Sequence, residues 1–158
     1  MSRVEVGSKV PDFTLTNAGG EAVSLSSLAR ENGIVLGFLH GTYCAACLQQ
    51  LTRANRYSGP LDAHRVEFVW ILDDSLDNIN TYATAADPPP RFQMVPDSSP
   101  SASHHFGLYV DSRFGGGPQP SLIYLDPQLT VRFLFVPDDP HTALDLEALM
   151  VAVHEVSG

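Results

Sequence analysis

Two cysteines, the only thiols in the chain, stand three residues apart in Phe38-Leu39-His40-Gly41-Thr42-Tyr43-Cys44-Ala45-Ala46-Cys47. The residues leading to them, Ile34 to Leu39, are almost continuously apolar, as a strand buried on both faces requires. The residues after them, Ala45 to Tyr57, carry no Gly or Pro and stop at Ser58-Gly59-Pro60, as a helix would. The Cys-x-x-Cys pair therefore falls at a strand-to-helix junction. A helix start offers unpaired backbone N–H groups and a positive dipole end, and both favour thiolate over thiol. The thiolate is the nucleophile. A helical i, i+3 spacing sets the second sulfur beside the first, where it can resolve a mixed disulfide. Cys44 is expected to attack and Cys47 to resolve.

Other residues near the pair have both chemical and bland readings. His40, four before Cys44, either tunes the thiolate electrostatically or simply ends the strand. The Thr42 hydroxyl is a candidate hydrogen-bond donor to a thiolate. Two cysteines could be half of a zinc site, but there is no second Cys pair, and His104-His105 would have to complete it. Trp70 lies in an apolar strand pattern and reads as core. Asp73-Asp74 and Asp138-Asp139 read as solvated acids at strand ends.

The elements that must hold the pair follow from apolar runs bounded by turn residues. Phe13 to Leu15 and Ala22 to Leu25 flank Asn17-Ala18-Gly19-Gly20, which predicts a hairpin. Val66 to Leu72 is a second buried strand. Ser121 to Leu125 and Val131 to Val136 are two more, joined by a turn at Asp126-Pro127-Gln128. Ser75 is placed to cap a helix from Leu76 to Ala86, and Thr142 to cap a last helix reaching about Val156. The proline-rich stretch from Asp87 to Pro100 reads as a surface loop, and His104-His105 as part of a short helix after Ser101. The order predicts an α/β sandwich around a mixed sheet.

With 158 residues, 44% of them hydrophobic and 17% charged, the chain has the size and composition of a single globular domain over 1–158. A net charge of −9, with one Lys and eight scattered Arg, excludes a phosphate-binding surface for nucleic acid. No apolar run is long enough to span a membrane. The opening Met1-Ser2-Arg3-Val4-Glu5 lacks the apolar core of a signal peptide, so a cytoplasmic location is expected.

Longer phrases carry a family likeness. Val6-Gly7-Ser8-Lys9-Val10-Pro11-Asp12-Phe13-Thr14-Leu15 resembles the G-x-x-A-P-D-F-x-L opening of the thioredoxin-like redoxins of the AhpC/TSA type. Gly19 to Leu28 resembles the hairpin that follows in that group, Val35 to Phe38 its first central strand, and Pro120-Ser121-Leu122-Ile123-Tyr124-Leu125-Asp126 its P-t-x-f-l-i-D strand. The resemblance implies a thioredoxin-like fold with a central mixed sheet, flanking helices and an N-terminal β-hairpin. It implies that Pro120 has a cis peptide bond and faces the Cys pair, where its missing N–H leaves the sulfur unchallenged. It also implies that Tyr43, in the slot of an active-site aromatic, forms part of a docking surface for peptides. Protein or small-molecule disulfides and a reducing dithiol donor are the implied partners, and no cofactor is expected.

The resemblance leaves three activities in play. A dithiol at a helix start favours thiol–disulfide exchange. Peroxiredoxins of the group carry P-x-x-x-T-x-x-C, which would make Cys47 the peroxidatic residue with His40 at the Pro position and Cys44 at the Thr position. Their Arg before the late strand is replaced by Gln119 and Pro120, with Arg113 the nearest candidate, and this disfavours peroxidase activity. Copper-delivery proteins of the same fold hold Cu(I) on two Cys and a distant His, for which His104 or His105 would serve here.

Overall fold

The computed structural model describes residues 4–97, 102–110, 117–118, 120–139 and 142–157. Strands β1 (Thr14–Thr16) and β2 (Ala22–Ser24) form the expected hairpin. Its turn is held by the Asn17 side chain, whose Oδ1 accepts the N–H groups of Gly19 and Glu21. A short helix α1 (Leu25–Leu28), capped by Ser24, leads to β3 (Ile34–Leu39). Then come α2 (Ala45–Ala54), a 3₁₀ turn at Asn55–Tyr57, α3 (Ser58–Ala63), β4 (Glu67–Leu72) and α4 (Leu76–Ala85). The chain continues through β5 (Gln93–Pro96), α5 (Ala102–His105), β6 (Tyr109–Val110), β7 (Gly117–Pro118), β8 (Ser121–Leu125), β9 (Val131–Phe135) and α6 (Leu146–Ser157).

The main sheet has the order β5-β4-β3-β8-β9. β3 runs parallel to β4 and antiparallel to β8, so the sheet is mixed, with the strand that feeds the Cys pair at its centre. The period of two in β3 divides its side chains between two apolar layers. Val35 and Leu39 face α2 and α6 with Phe68, Trp70, Leu122 and Tyr124. Ile34, Leu36 and Phe38 face the hairpin and α5 with Ile71, Ile123 and Phe106. Trp70 is core, as its strand pattern predicts, and its six-membered ring lies over Gly37. A Cβ at Gly37 would come within 2.4 Å of that ring, so the strand needs glycine there to let the indole close on the backbone.

Three details depart from the sequence reading, and one helix cap agrees with it. Pro60 does not stop the chain's helical course, because it sits in the first turn of α3, where a backbone N–H has no helical partner to lose. The proline-rich stretch contains β5, an edge strand ending at Pro96 opposite Leu72, and edges tolerate the missing donor. The helix after Ser75 is capped as expected, with Ser75 Oγ accepting the Asn78 N–H at 3.1 Å. The last helix instead begins at Leu146, and Asp145, not Thr142, caps it through a 3.0 Å bond from the Ala148 N–H.

Candidate active site

The parallel register pairs Leu39 with Leu72, so β3 and β4 end side by side and their loops leave the same edge of the sheet. This edge, at the carboxyl ends of parallel strands, is where open α/β sheets place their reactive groups. From β3 come His40, Gly41, Thr42 and Tyr43, then the start of α2. From β4 come Asp73, Asp74 and Ser75, then the start of α4.

Cys44 is the N-cap of α2. Its backbone is extended (φ −102°, ψ 110°), and its Sγ accepts the Cys47 N–H at 3.3 Å. A cap position needs an acceptor for the orphan amides of the first turn, and here the Cys44 sulfur fills that role. Cys44 is half-buried, whereas Cys47, one turn into the helix, is 3% exposed and packs into the apolar layer between the sheet and α6. Burial, reinforced by a side-chain hydrogen bond with Cys44, pushes the Cys47 thiol up to about 12; backbone hydrogen bonds from Gly41 and His40 pull the other way and are outweighed. The two sulfurs are thus unequal: one accessible at the helix start, the other a buried thiol beside it. Both cysteines are in the free thiol form.

The loop between β3 and Cys44 is tied to β4. Asp74 Oδ2 accepts the Thr42 N–H at 2.9 Å and the Thr42 hydroxyl at 2.5 Å. Its Oδ1 accepts the Ser75 N–H and the Asn78 side-chain amide, both at 2.8 Å. Burial works to raise the Asp74 carboxyl, but these hydrogen bonds prevail and hold it below the usual carboxylate value. A Cβ at Gly41 would stand 2.5 Å from the Tyr43 ring and 3.2 Å from Asp74 Oδ2, so glycine lets both groups close on this turn. A backbone bond from the Cys44 N–H to the Gly41 carbonyl completes the turn.

These contacts revise two sequence readings. The Thr42 hydroxyl is given to Asp74 rather than to a sulfur. Asp74 is not a solvated strand-end acid but the anchor of the loop that presents Cys44. The signal for it is the strand order: once β3 and β4 are known to be parallel neighbours, an acid two residues past Leu72 must lie beside the loop that leaves Leu39.

Tyr43 projects outward with 70% exposure, the largest apolar side chain presented at this edge. Pro120 is buried and directly precedes Ser121, whose partner in β3 is Phe38, so it stands level with the end of β3 that leads to the Cys pair. Gln119 lies outside the described residues, as do the Gln119–Pro120 bond expected to be cis and Arg113. Among the buried polar residues Asp126 is the only acid described, and it belongs to the opposite edge, where Leu125 pairs with Ile34. There it receives Arg132 and the turn amides of Gln128 and Thr130.

His40 is half-buried at the end of β3. A ring nitrogen of His40 and the sulfurs of Cys44 and Cys47 lie within 4.8 Å of one another, and no other set of His, Cys, Asp or Glu among the described residues converges this way on a metal-sized space. Of the two histidines weighed for a metal site, His105 is not part of this set. His105 packs its ring against Phe13 at 4.9 Å and Phe106 at 5.6 Å, and the His104 side chain lies outside the described residues.

A helix-capping cysteine, a second cysteine one turn on and a mixed sheet behind them define a thioredoxin-like α/β redox fold. Residues 6–134 match the AhpC/TSA family, and the chain belongs to that family. No curated protein sequence matches it. Among solved structures it is similar to the peroxidoxin BcpB of Mycobacterium tuberculosis, with a TM-score of 0.82 at 16% identity over 98% of this chain and 99% of that one. It is also similar to the mitochondrial 2-Cys peroxiredoxin of Plasmodium falciparum, with a TM-score of 0.79 at 19% identity over 96% and 94% of the two chains. A third is the yeast mitochondrial 1-Cys peroxiredoxin, with a TM-score of 0.80 at 11% identity over 96% and 75%. Among the described residues no helix is long and apolar enough to cross a membrane.

Proposed function

We propose that this member of the AhpC/TSA family is a thiol–disulfide oxidoreductase in which Cys44 attacks and Cys47 resolves. The observation that carries the reading is the inequality of the two sulfurs. Cys44 is reachable and its Sγ caps a helix, whereas Cys47 is buried and its thiol is raised. In the first step the Cys44 thiolate attacks one sulfur of a substrate disulfide, and the other sulfur leaves as a thiolate. Cys44 is then part of a mixed disulfide, and its hydrogen bond and charge no longer hold the Cys47 proton in place. With Cys44 in that disulfide, the hydrogen bond and charge that help raise the Cys47 thiol are removed, while its burial remains. Its thiolate attacks Cys44 Sγ, expels the second substrate thiol and leaves a Cys44–Cys47 disulfide. Two electrons have passed to the substrate, and a reducing dithiol donor returns them.

His40 and Tyr43 flank the attacking sulfur and supply the substrate-facing surface, with Thr42 setting their position. Pro120 borders the same edge without an N–H to compete for the sulfur. A donor dithiol in a reducing compartment such as the cytoplasm suits this cycle. For the yeast protein, thiol resolution runs through glutathione and thioredoxin systems, and a donor of that kind is the one proposed here.

A second reading, thiol peroxidase, is favoured by the family itself and by the peroxiredoxins of similar fold. Cys47 would then attack peroxide, become a sulfenic acid and condense with Cys44, releasing water. Its burial and raised thiol disfavour that role in this conformation.

The test is to mix the reduced chain with insulin disulfide or with hydrogen peroxide and follow thiol loss and Trp70 fluorescence. Cys44→Ser and Cys47→Ser serve as controls. Fast insulin reduction that vanishes without Cys44, beside slow peroxide consumption, is expected. Fast peroxide consumption that survives Cys44→Ser and dies with Cys47→Ser establishes the peroxidase instead.

A further inference from the structure

Neither reaction uses the convergence of a His40 ring nitrogen with both sulfurs; in disulfide exchange His40 only borders the substrate. The geometry points to a second state of the reduced site: a three-ligand seat for a thiophilic cation, Zn(II) or Cu(I), on Cys44 Sγ, Cys47 Sγ and a ring nitrogen of His40. The three donor atoms already lie within 4.8 Å of one another. A tetrahedral zinc with metal–sulfur bonds of about 2.3 Å and metal–nitrogen bonds of about 2.0–2.1 Å spaces its ligands at roughly 3.5–3.8 Å. Closing the set therefore takes shifts on the order of 1 Å, within the reach of side-chain rotation.

The donor set selects the cation. Two thiolates and an imidazole are soft to borderline ligands, which suit Cu(I) and Zn(II) and suit Mg(II) or Ca(II) poorly. The position of the set also fits. Cys47 forms a buried floor, and the half-buried Cys44 and His40 form two walls, so the seat opens toward solvent. Cu(I) is satisfied by three such ligands, whereas Zn(II) would take a water on the open side.

No oxidation state changes on binding. Both S–H bonds break, two metal–sulfur bonds form, the His40 nitrogen donates its lone pair, and two protons leave to solvent. A chain so loaded forms the Cys44–Cys47 disulfide only by releasing the cation, because both sulfurs must leave the metal to bond to each other. Cation occupancy would then hold the dithiol in reserve, sheltered from oxidants until a stronger chelator removes the metal.

The experiment titrates the reduced, metal-free full chain with Zn(II) against a chromophoric chelator. A parallel anaerobic titration uses Cu(I) against a Cu(I)-selective chelator. One equivalent of at least one cation is expected to bind, with loss of binding in Cys44→Ser and Cys47→Ser. His40→Ala should weaken it roughly tenfold or more, about 1.4 kcal/mol per factor of ten, while His105→Ala leaves it unchanged. Which titration succeeds separates a three-coordinate Cu(I) seat from a water-completed zinc site. X-ray absorption at the metal edge of the loaded wild type should show two sulfurs and one nitrogen from the protein. It tests the ligand set even if a variant folds poorly.

Failure of both titrations, a ligand shell without nitrogen, or affinity indifferent to His40 overturns the inference. The readout involves no disulfide substrate, so it is independent of the functional reading above. A chain that exchanges disulfides but binds neither cation removes this proposal alone. A chain that binds but exchanges nothing removes the other.

Discussion

Asp74 Oδ2 accepts both the N–H and the hydroxyl of Thr42, and so bolts the loop that presents Cys44 to the end of the neighbouring strand. Removing the carboxylate leaves two donors of a half-buried loop without their partner, a loss on the order of 1–3 kcal/mol. Asp74→Ala is expected to lower the thermal midpoint and to slow disulfide exchange about tenfold. A double-mutant cycle with Thr42→Val should return a coupling of roughly 0.5–3 kcal/mol. Additive effects of the two substitutions would show that the contact does not hold the loop.

The same carboxyl gives an acid limb with a defined sign. Its folded value is held below the ordinary one, so its contribution is present in full above the unfolded value of about 4. That contribution is lost as the pH falls through the lowered folded value. Asp74→Asn should therefore be less stable than the parent at neutral pH, with the difference closing under acid. Chemical denaturation of both proteins from pH 7 down to pH 2.5 checks this, and a gap that stays constant would overturn it.

Cys47 sets an alkaline limb of the opposite sense. Its folded thiol is raised to about 12, above the unfolded value of about 8.5. The stability it contributes is whole below the unfolded value and is lost as the pH climbs through the folded one. A Cys47→Ala chain should lose less stability than the parent between pH 9 and 12. In the parent near neutral pH, iodoacetamide should label Cys44 with Cys47 left intact, as peptide mass mapping would report. Labelling of Cys47 first would reverse the assigned roles.

Tyr43 is exposed enough to be removed without disturbing the core. Tyr43→Ala should change stability by no more than about 0.5 kcal/mol. If the ring docks a polypeptide, KM for a protein disulfide should rise several-fold while the rate with a small disulfide such as oxidised glutathione stays constant. Equal losses with both substrates would place its effect on the loop instead.

At Gly37 an added methyl must meet the Trp70 ring at 2.4 Å, with strand backbone fixed on both sides. Gly37→Ala is expected to destabilise by roughly 1–3 kcal/mol and to shift Trp70 fluorescence. An unshifted melting curve would mean that the indole has room to retreat.

Much of this architecture could be read from local pattern. The buried strands Ile34–Leu39 and Ser121–Leu125 announce themselves as apolar runs, and the Cys pair announces the junction after the first of them. Local pattern fails where a residue's role is set by what lies across the sheet. Asp74 and Thr42 are 32 residues apart, and nothing near either names the other. His40 is adjacent in sequence to the Cys pair, yet its convergence on both sulfurs depends on how the loop folds over the helix start. Pro96 and Pro60 mislead for a different reason. A proline forbids structure only where its N–H was required, and an edge strand and a first helical turn require none.

Cys47 belongs at once to the proposed reactive pair and to the packing between the sheet and α6. In the proposed reaction, electron transfer and folding are therefore joined in one thermodynamic cycle. If forming the disulfide draws this sulfur away from its apolar neighbours, the oxidised and reduced chains differ in packing energy. If the reduced form is the more stable, the disulfide is by the same amount the stronger oxidant, at about 30 mV for each 1.4 kcal/mol of difference. Substitutions of Leu51, Leu149 or Val153, which share that apolar layer, would then retune the couple without touching the chemistry at its surface.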